Sequence, residues 1–227
     1  MWAIIKKELK TYFFSPIGYV FIGLFLAMFS IIFYITTISQ GAITYQYVFF
    51  YSVMYIVVFI IPLLTMRMFS EERKNGTEQL LITSPRSMVA ITLGKFIAAL
   101  LVIIITELFT LVYLAIMYYF KAPAIMTVLT TMFGFLLLSM TYISLGMFIS
   151  SLTENQIISG ISTIAVFVVT WLAPNISTNL TAISLIDKFY PFATGVFPIT
   201  ETISLLSITV MFVLFTMIVM KRRKLVK

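Results

Sequence analysis

The charged side chains of this 227-residue sequence are concentrated between Arg67 and Lys95. Eight charges lie in that stretch: Arg67, Glu71, Glu72, Arg73, Lys74, Glu78, Arg86 and Lys95. The sequence contains no cysteine and no histidine, which excludes thiolate or imidazole metal sites, Cys or His catalysis, and disulfides. The charged side chains of this stretch can therefore form ion pairs and hydrogen bonds. It is therefore a candidate for binding another protein, with no catalytic and no metal-ligating residue expected.

A second candidate is Glu107, the one carboxylate placed midway along a long apolar run. A charge at the centre of a bilayer costs about 2.5 to 3.5 kcal/mol on insertion scales, so an ionisable group there suggests a function. One interpretation is that Glu107 takes part in a translocation path. The alternative is a protonated side chain that is hydrogen-bonded to Thr106, to Thr110 or to a neighbouring span.

The elements that position these residues are membrane spans. Hydrophobic residues make up 61% of the sequence and charged residues only 10%, with a mean hydropathy of +1.10. In soluble domains, about 45 to 50% of residues are hydrophobic and about 25% are charged. A span needs about 20 apolar residues, and the sequence predicts six, at about 17–38, 47–69, 88–120, 126–150, 156–173 and 202–220. The fold class predicted is an all-α integral membrane protein with one domain, 1–227.

Two further segments, outside the spans, complete the predicted architecture together with the loop between spans 2 and 3. Residues 1–15 place apolar side chains opposite Lys6, Lys7 and Lys10, which predicts an interfacial helix on an anionic leaflet; a short charged tail is the alternative. Residues 176–201 contain prolines and the Asp187-Lys188 pair among apolar residues, which predicts short re-entrant or outer helices.

The loop 70–87 between spans 2 and 3 shows the pattern of a folded segment. Asn75 is a favoured N-cap, and Glu78 three residues later completes a capping-box-like pair. Residues 77–84 are therefore expected to form about two helical turns, which Pro85 ends because it lacks an amide donor. This short helix would present Leu80 and Leu81 to a groove on a partner.

The distribution of Lys and Arg predicts the orientation. Thirteen lie at the N-terminus, in the 67–95 stretch and at the C-terminus, whereas only Lys121 and Lys188 lie on the other side. The positive-inside rule then places both termini and the loop in the cytoplasm of a multi-pass protein of the cytoplasmic membrane. The same rule accounts for the net charge of +7 without nucleic acid, which is not an expected partner.

Three groups of residues carry a resemblance to a known family. They are Ser70-Glu71-Glu72-Arg73 with Gly76-Thr77-Glu78, Leu80-Leu81, Pro85 and Gly94-Lys95; Ser15-Pro16-Ile17-Gly18-Tyr19; and Ser150-Ser151-Leu152-Thr153-Glu154-Asn155-Gln156. The chain resembles permease subunits of type 2 ATP-binding-cassette (ABC) transporters, and the second and third groups resemble its gliding-motility-type branch.

The resemblance implies a function, partners and a docking site. It implies a permease that exports a substrate using ATP hydrolysed by a separate ATPase subunit, present in two copies that bind ATP and Mg. A second permease chain, identical or paralogous, would complete the complex, and this chain itself would hold no cofactor. The docking residues implied are Glu71, Glu72, Arg73, Gly76, Thr77, Glu78, Leu80, Leu81 and Pro85.

The sequence itself supplies no ATPase motif. Its one Gly-Lys pair, Gly94-Lys95, has Val89 in place of the first glycine of a phosphate-binding loop and Phe96 in place of Ser or Thr. We therefore do not expect the chain to be an enzyme. Two alternatives stay open: an ion- or proton-coupled secondary transporter that uses Glu107, and a membrane partner of an ATPase that moves no cargo.

Overall fold

A computed structural model describes residues 1–39, 45–83, 86–120, 123–176 and 184–226, without the side chains of residues 80–82, 176 and 224–226. Within these residues the chain is helical, with no strand. Six helices are long and apolar enough to cross a membrane, which confirms the predicted all-α membrane fold with six spans. They are Pro16–Ile38, Tyr45–Lys74, Met88–Phe120, Ile125–Leu152, Gln156–Asn175 and Ile199–Arg223.

The first helix, α1 (Trp2–Phe14), precedes the spans and packs along the third of them. Ser15 ends it in extended backbone, and Pro16 begins the next helix at a first-turn position that needs no amide donor. Span 1 is α2 (Pro16–Phe33), which continues through the π-helical turn Tyr34–Ile38.

Span 2 is made of pieces. It contains α3 (Tyr45–Tyr55), a π-helical turn (Ile56–Ile60) and α4 (Ile61–Thr65), and a turn then leads to α5 (Ser70–Lys74). Pro62 lies in the first turn of α4 and has no amide hydrogen to donate into the helix before it. The π-helical turn, which is wider than an α-helical turn, therefore lies where Pro62 interrupts the series of backbone hydrogen bonds.

Spans 3 to 6 are more regular. They are α7 (Met88–Phe120), α8 (Ile125–Leu152), α9 (Gln156–Ile176) and α11 (Ile199–Val226), and the short α6 (Glu78–Thr83) precedes α7. Two of the predicted spans, 156–173 and 202–220, are shorter than the helices in the structure. Pro174 is accommodated inside the end of α9, and the last span starts at Ile199, before the predicted residue 202.

The predicted outer segment 176–201 is described only in part, since residues 177–183 lie outside the described residues. The rest forms a short 3-10 helix, Asp187–Phe189, and α10 (Tyr190–Ala193). Phe189 and Phe192 are fully buried. Phe192 packs so closely on Gly134 of α8 that a Cβ at Gly134 would collide with the Phe192 side chain. This broken segment is thus part of the packed bundle.

An aromatic cluster holds spans 1, 2 and 4 together. Phe29 meets Phe49 edge to face with ring centroids 5.0 Å apart, and Phe135 meets Phe25 and Phe49 at 5.8 and 5.4 Å. Such pairs contribute roughly 0.5 to 1.5 kcal/mol beyond their buried area. On the loop side, Gly146 of α8 lies against Thr65, and this close contact fixes the end of α4 on α8.

Candidate functional site

The loop between spans 2 and 3 contains two short helices, α5 and α6, with a tight turn between them. Asn75 is the C-cap of α5, and its amide donates to the Glu71 carbonyl at 3.0 Å. Gly76 follows with a φ of +70°, the left-handed geometry that commonly ends a helix. The predicted capping box at Asn75 and Glu78 is therefore wrong. Asn75 ends one helix, and Glu78 is the first residue of the next.

Arg73 fastens the loop to the end of span 4. Its Nη1 donates to the Thr153 carbonyl at 2.9 Å, Nη2 donates to the Ser151 carbonyl, and Nε donates to the Glu78 carboxylate at 3.0 Å. The two carbonyls belong to the last turn of α8 and the residue after it. The Arg73 side chain is only 3% exposed and that of Glu78 is 9% exposed. This is a buried pair in which each of the three guanidinium nitrogens of Arg73 donates a hydrogen bond.

Two more contacts fix the same region. Arg223 near the end of α11 lies 3.5 Å from the Glu78 carboxylate. The hydroxyl oxygen of Ser150 in α8 accepts hydrogen bonds from the amides of Phe69 and Ser70, at 3.1 and 3.2 Å. The amides at the start of α5 lack partners within their own helix, so Ser150 satisfies donors that would otherwise be unpaired. Both helices of the loop are thus attached to the bundle.

On the opposite side, a network of four charges joins the loop to α1 and α7. Lys95 Nζ lies 2.9 Å from a carboxylate oxygen of Glu72 and 3.1 Å from one of Glu8. Lys7 Nζ contacts the same two oxygens at 3.4 and 3.3 Å. Burial lowers the pKa of Lys7, but the attraction of Glu8 and Glu72 outweighs that effect and raises the pKa above its usual value. The network places α1, the loop and the start of span 3 in contact.

The sequence analysis missed Glu8 and the ion pairs of Lys95. Lys95 is buried and lies over the ring of Phe69, 5.5 Å from its centroid. One signal for Glu8 was available. It shares the buried face of α1 with Ile5 and Tyr12, and an acidic residue on a buried face requires a partner.

A cavity of about 560 Å³ lies between α1 and the loop, beside the ion pairs that join them. The charged residues in its lining are Lys7, Arg67 and Lys95 with Glu8, Glu71 and Glu72. Since the two signs balance, the cavity offers no preference for a charged ligand. Arg67 and Glu71 face each other across 3.5 Å, and both are partly exposed.

The predicted docking residues therefore divide into two groups. Glu72, Arg73 and Glu78 are engaged within the chain, whereas Gly76 and Thr77 are exposed and Glu71 is partly so. Pro85 lies outside the described residues, and α6 contains Leu80 and Leu81 without a description of their side chains. The docking role of the whole set stays a prediction.

Glu107 lies away from the loop, twelve residues after Lys95 on α7, or roughly 18 Å along the helix. It is 5% exposed, and its Oε1 has no hydrogen-bond partner among the described residues. Thr106 donates to the Val102 carbonyl, and Thr110 donates to the backbone carbonyl of Glu107. Neither hydroxyl binds the Glu107 carboxyl group, so the hydrogen bonds suggested to Thr106 and Thr110 are not formed. Its part in a translocation path stays a prediction.

One protein-family profile matches nearly the whole chain, including the loop, α1 and all six spans. The profile of the ABC-2 family transporter protein matches residues 2–224. The chain belongs to this family. As an ABC-2 family transporter protein it is a membrane-embedded permease component of an ABC transporter, and the transport component is not itself an enzyme. No curated protein matches the chain. The likeness to the gliding-motility-type branch remains a resemblance.

Proposed function

We propose that this ABC-2 permease exports a substrate and is driven by a separate ATPase subunit that docks on the loop Ser70–Ser87. The observation that carries the proposal is the attachment of adjacent residues to different helices. Glu72 binds Lys95 of α7, whereas Arg73 binds the end of α8. A loop held on both sides transmits a displacement to the spans, which a slack connector does not.

The mechanism follows from these attachments. ATP would bring two ATPase subunits together and displace the docked loops. Through Arg73 the displacement reaches spans 4 and 5, through Glu78 and Arg223 it reaches span 6, and through Glu72 it reaches α1 and span 3. ATP drives the change only to the extent that one permease conformation is favoured in the ATP-bound complex. This chain forms and breaks no bond.

The assembly proposed contains two permease chains and two ATPase subunits, and ATP with Mg is bound by the latter. Six spans are half of the usual translocation unit in the family that the sequence resembles. The substrate, and whether the second permease is identical or paralogous, are left open by the proposal.

The proposed orientation places both termini and the loop in the cytoplasm of a cell with this protein in its cytoplasmic membrane. Because the chain has no cysteine, single-cysteine variants need no prior background removal. We expect Asp187→Cys to react with a membrane-impermeant maleimide added to intact cells, and Thr77→Cys to react only after the cells are opened. Both parent residues are exposed, so accessibility is matched. The reverse pattern would overturn the orientation.

The function is tested by purifying the chain alone and together with a co-expressed ATPase. We expect no ATP hydrolysis by the chain alone and hydrolysis by the complex in vesicles. Material released by cells that carry a wild-type or a hydrolysis-deficient ATPase is then compared by mass spectrometry. A compound absent from the medium of the deficient cells supports export, and one that accumulates there indicates import.

A second candidate function rests on Glu107, whose buried carboxyl oxygen lacks a partner in the described part of the chain. A proton-coupled transporter would work without the ATPase and would fail in Glu107→Gln. Release that continues with the hydrolysis-deficient ATPase and stops when the proton gradient is dissipated would favour it. A membrane partner that moves no cargo would show the same released material in both strains.

A further inference from the structure

The outward face of α1 carries two adjacent grooves that the transport function does not use. One is lined by Trp2, Lys6, Leu9, Lys10, Phe13 and Phe14, and the other by Ala3, Lys6, Lys7, Lys10, Thr11 and Phe14. Their volumes are about 310 and 600 Å³ respectively. Lys6, Lys10 and Phe14 belong to both, so the two grooves form one continuous surface, which we name the α1 groove.

The α1 groove is positively charged without compensation. No acidic residue lines it, and neither Lys6 nor Lys10 has an ion-pair partner within the described ranges. Glu8, the acidic residue of α1, lies on the opposite face and is turned toward Lys95. Lys6 and Lys10 are four residues apart and therefore lie side by side on the helix.

One edge of the same surface is apolar. The side chain of Trp2 is 73% exposed and that of Phe14 is 86% exposed, and Leu9 and Phe13 lie beside them. The helix ends where Pro16 begins span 1, so Phe13 and Phe14 lie next to the start of a span. Lysines next to aromatic residues at this level are typical of a helix at the headgroup boundary.

We propose that the α1 groove is a binding site for an anionic phospholipid. The phosphate group lies between the ammonium groups of Lys6 and Lys10, and the acyl chains run along Trp2, Leu9 and Phe13. A free phosphate lacks the chains that the apolar edge requires, and a zwitterionic lipid supplies no net charge for the two lysines.

The site also has a route to the loop. Lys7 lies at the edge of the groove and contacts Glu8 and Glu72, and Glu8 contacts Lys95. A lipid that fixes α1 at the membrane surface therefore also fixes the partner to which Glu72 of the loop is bound. Lipid charge would then influence the loop independently of which cargo is moved and in which direction.

The experiment measures lipid binding by the purified chain, so it does not depend on the ATPase or on export. The unfolding temperature in detergent is recorded while phosphatidylglycerol, phosphatidylcholine or inorganic phosphate is titrated in. We expect a rise in unfolding temperature with phosphatidylglycerol beyond that with phosphatidylcholine, and no rise with phosphate. Lys6→Gln with Lys10→Gln should reduce the apparent affinity for phosphatidylglycerol roughly 30-fold, since each basic residue near anionic lipid contributes about fivefold.

Two control variants keep the test specific. Lys221→Gln with Arg222→Gln removes the same charge from exposed residues near the end of α11, and we expect it to leave the affinity within about twofold because neither residue lines the groove. Lys6→Arg with Lys10→Arg retains the charge and should retain the binding. Equal losses in the two glutamine variants would show a general basic surface and overturn the site. Equal responses to the two lipids would overturn it as well.

Discussion

Replacing both Leu80 and Leu81 by alanine is expected to abolish co-purification of the ATPase. A fully buried leucine contributes about 1.5 to 3 kcal/mol relative to an exposed one, so two leucines that fill an apolar groove dominate a small interface. Alanine favours a helix even more than leucine does, so α6 should keep its backbone. The measurement is ATPase recovery on the tagged permease, together with ATP hydrolysis by the reconstituted complex.

The matched control is Gln79→Ala in the same helix. Gln79 is exposed, and its backbone carbonyl, which accepts a hydrogen bond from the Thr83 hydroxyl at 2.8 Å, is retained in alanine. The substitution therefore tests helix and surface effects without removing apolar area. We expect ATPase recovery close to that of the wild type. Full recovery in the double leucine variant would contradict the docking role, and equal loss in Gln79→Ala would assign the effect to the helix itself.

Arg73→Ala is expected to destabilise the folded permease by about 3 kcal/mol, near the lower end of the usual 3 to 5 kcal/mol for breaking a buried ion pair. The variant leaves the buried Glu78 carboxylate with Arg223 at 3.5 Å and removes the donors to the Ser151 and Thr153 carbonyls. Coupling should fail too, because the loop loses its attachment to span 4. Chemical unfolding in detergent micelles measures the first effect, and hydrolysis by the complex measures the second.

Two comparisons separate the buried pair from charge removal in general. Arg67→Ala removes a partly exposed pair with Glu71 and should cost about 0 to 1 kcal/mol. Arg73→Met with Glu78→Gln removes both charges of the buried pair, so it should be more stable than Arg73→Ala even though the Ser151 and Thr153 carbonyls still lack the Arg73 donors. If Arg73→Ala reduced the unfolding free energy and the hydrolysis by the complex no more than Arg67→Ala does, the proposed attachment of the loop through Arg73 would be contradicted.

The spans were predictable because a bilayer imposes a length of apolar sequence, and local sequence alone meets that condition. The positions at which the helices of the loop begin and end were harder to predict. Asn75 is acceptable both as an N-cap and near a C-terminus, and only the following glycine, Gly76, distinguishes the two readings. Leu80, Leu81 and Pro85 came from pattern and resemblance, and their docking role awaits the experiments above.

The contacts that organise the site were beyond sequence reasoning for a physical reason. Lys95 and Glu8 are separated by 87 positions, and Arg73 and Thr153 by 80. Such pairs depend on how the spans pack, which apolar periodicity does not specify. Only the cost of burying Glu8 and Arg73 without partners could have shown that partners existed.

The wide turn at Ile56–Ile60 divides span 2 into two rods of unequal length. A π-helical turn followed by a proline has fewer regular hydrogen bonds than the helix on either side, so bending is least costly there. The shorter rod reaches from Ile61 to the start of α5, roughly 14 Å at 1.5 Å per residue. A tilt of about 10° at this joint displaces the loop by roughly 2 to 3 Å along an arm of that length. The half of the span that begins at Tyr45 can keep its own helical hydrogen bonds while the half that leads to the loop moves together with α8, to which Thr65 and Arg73 attach it.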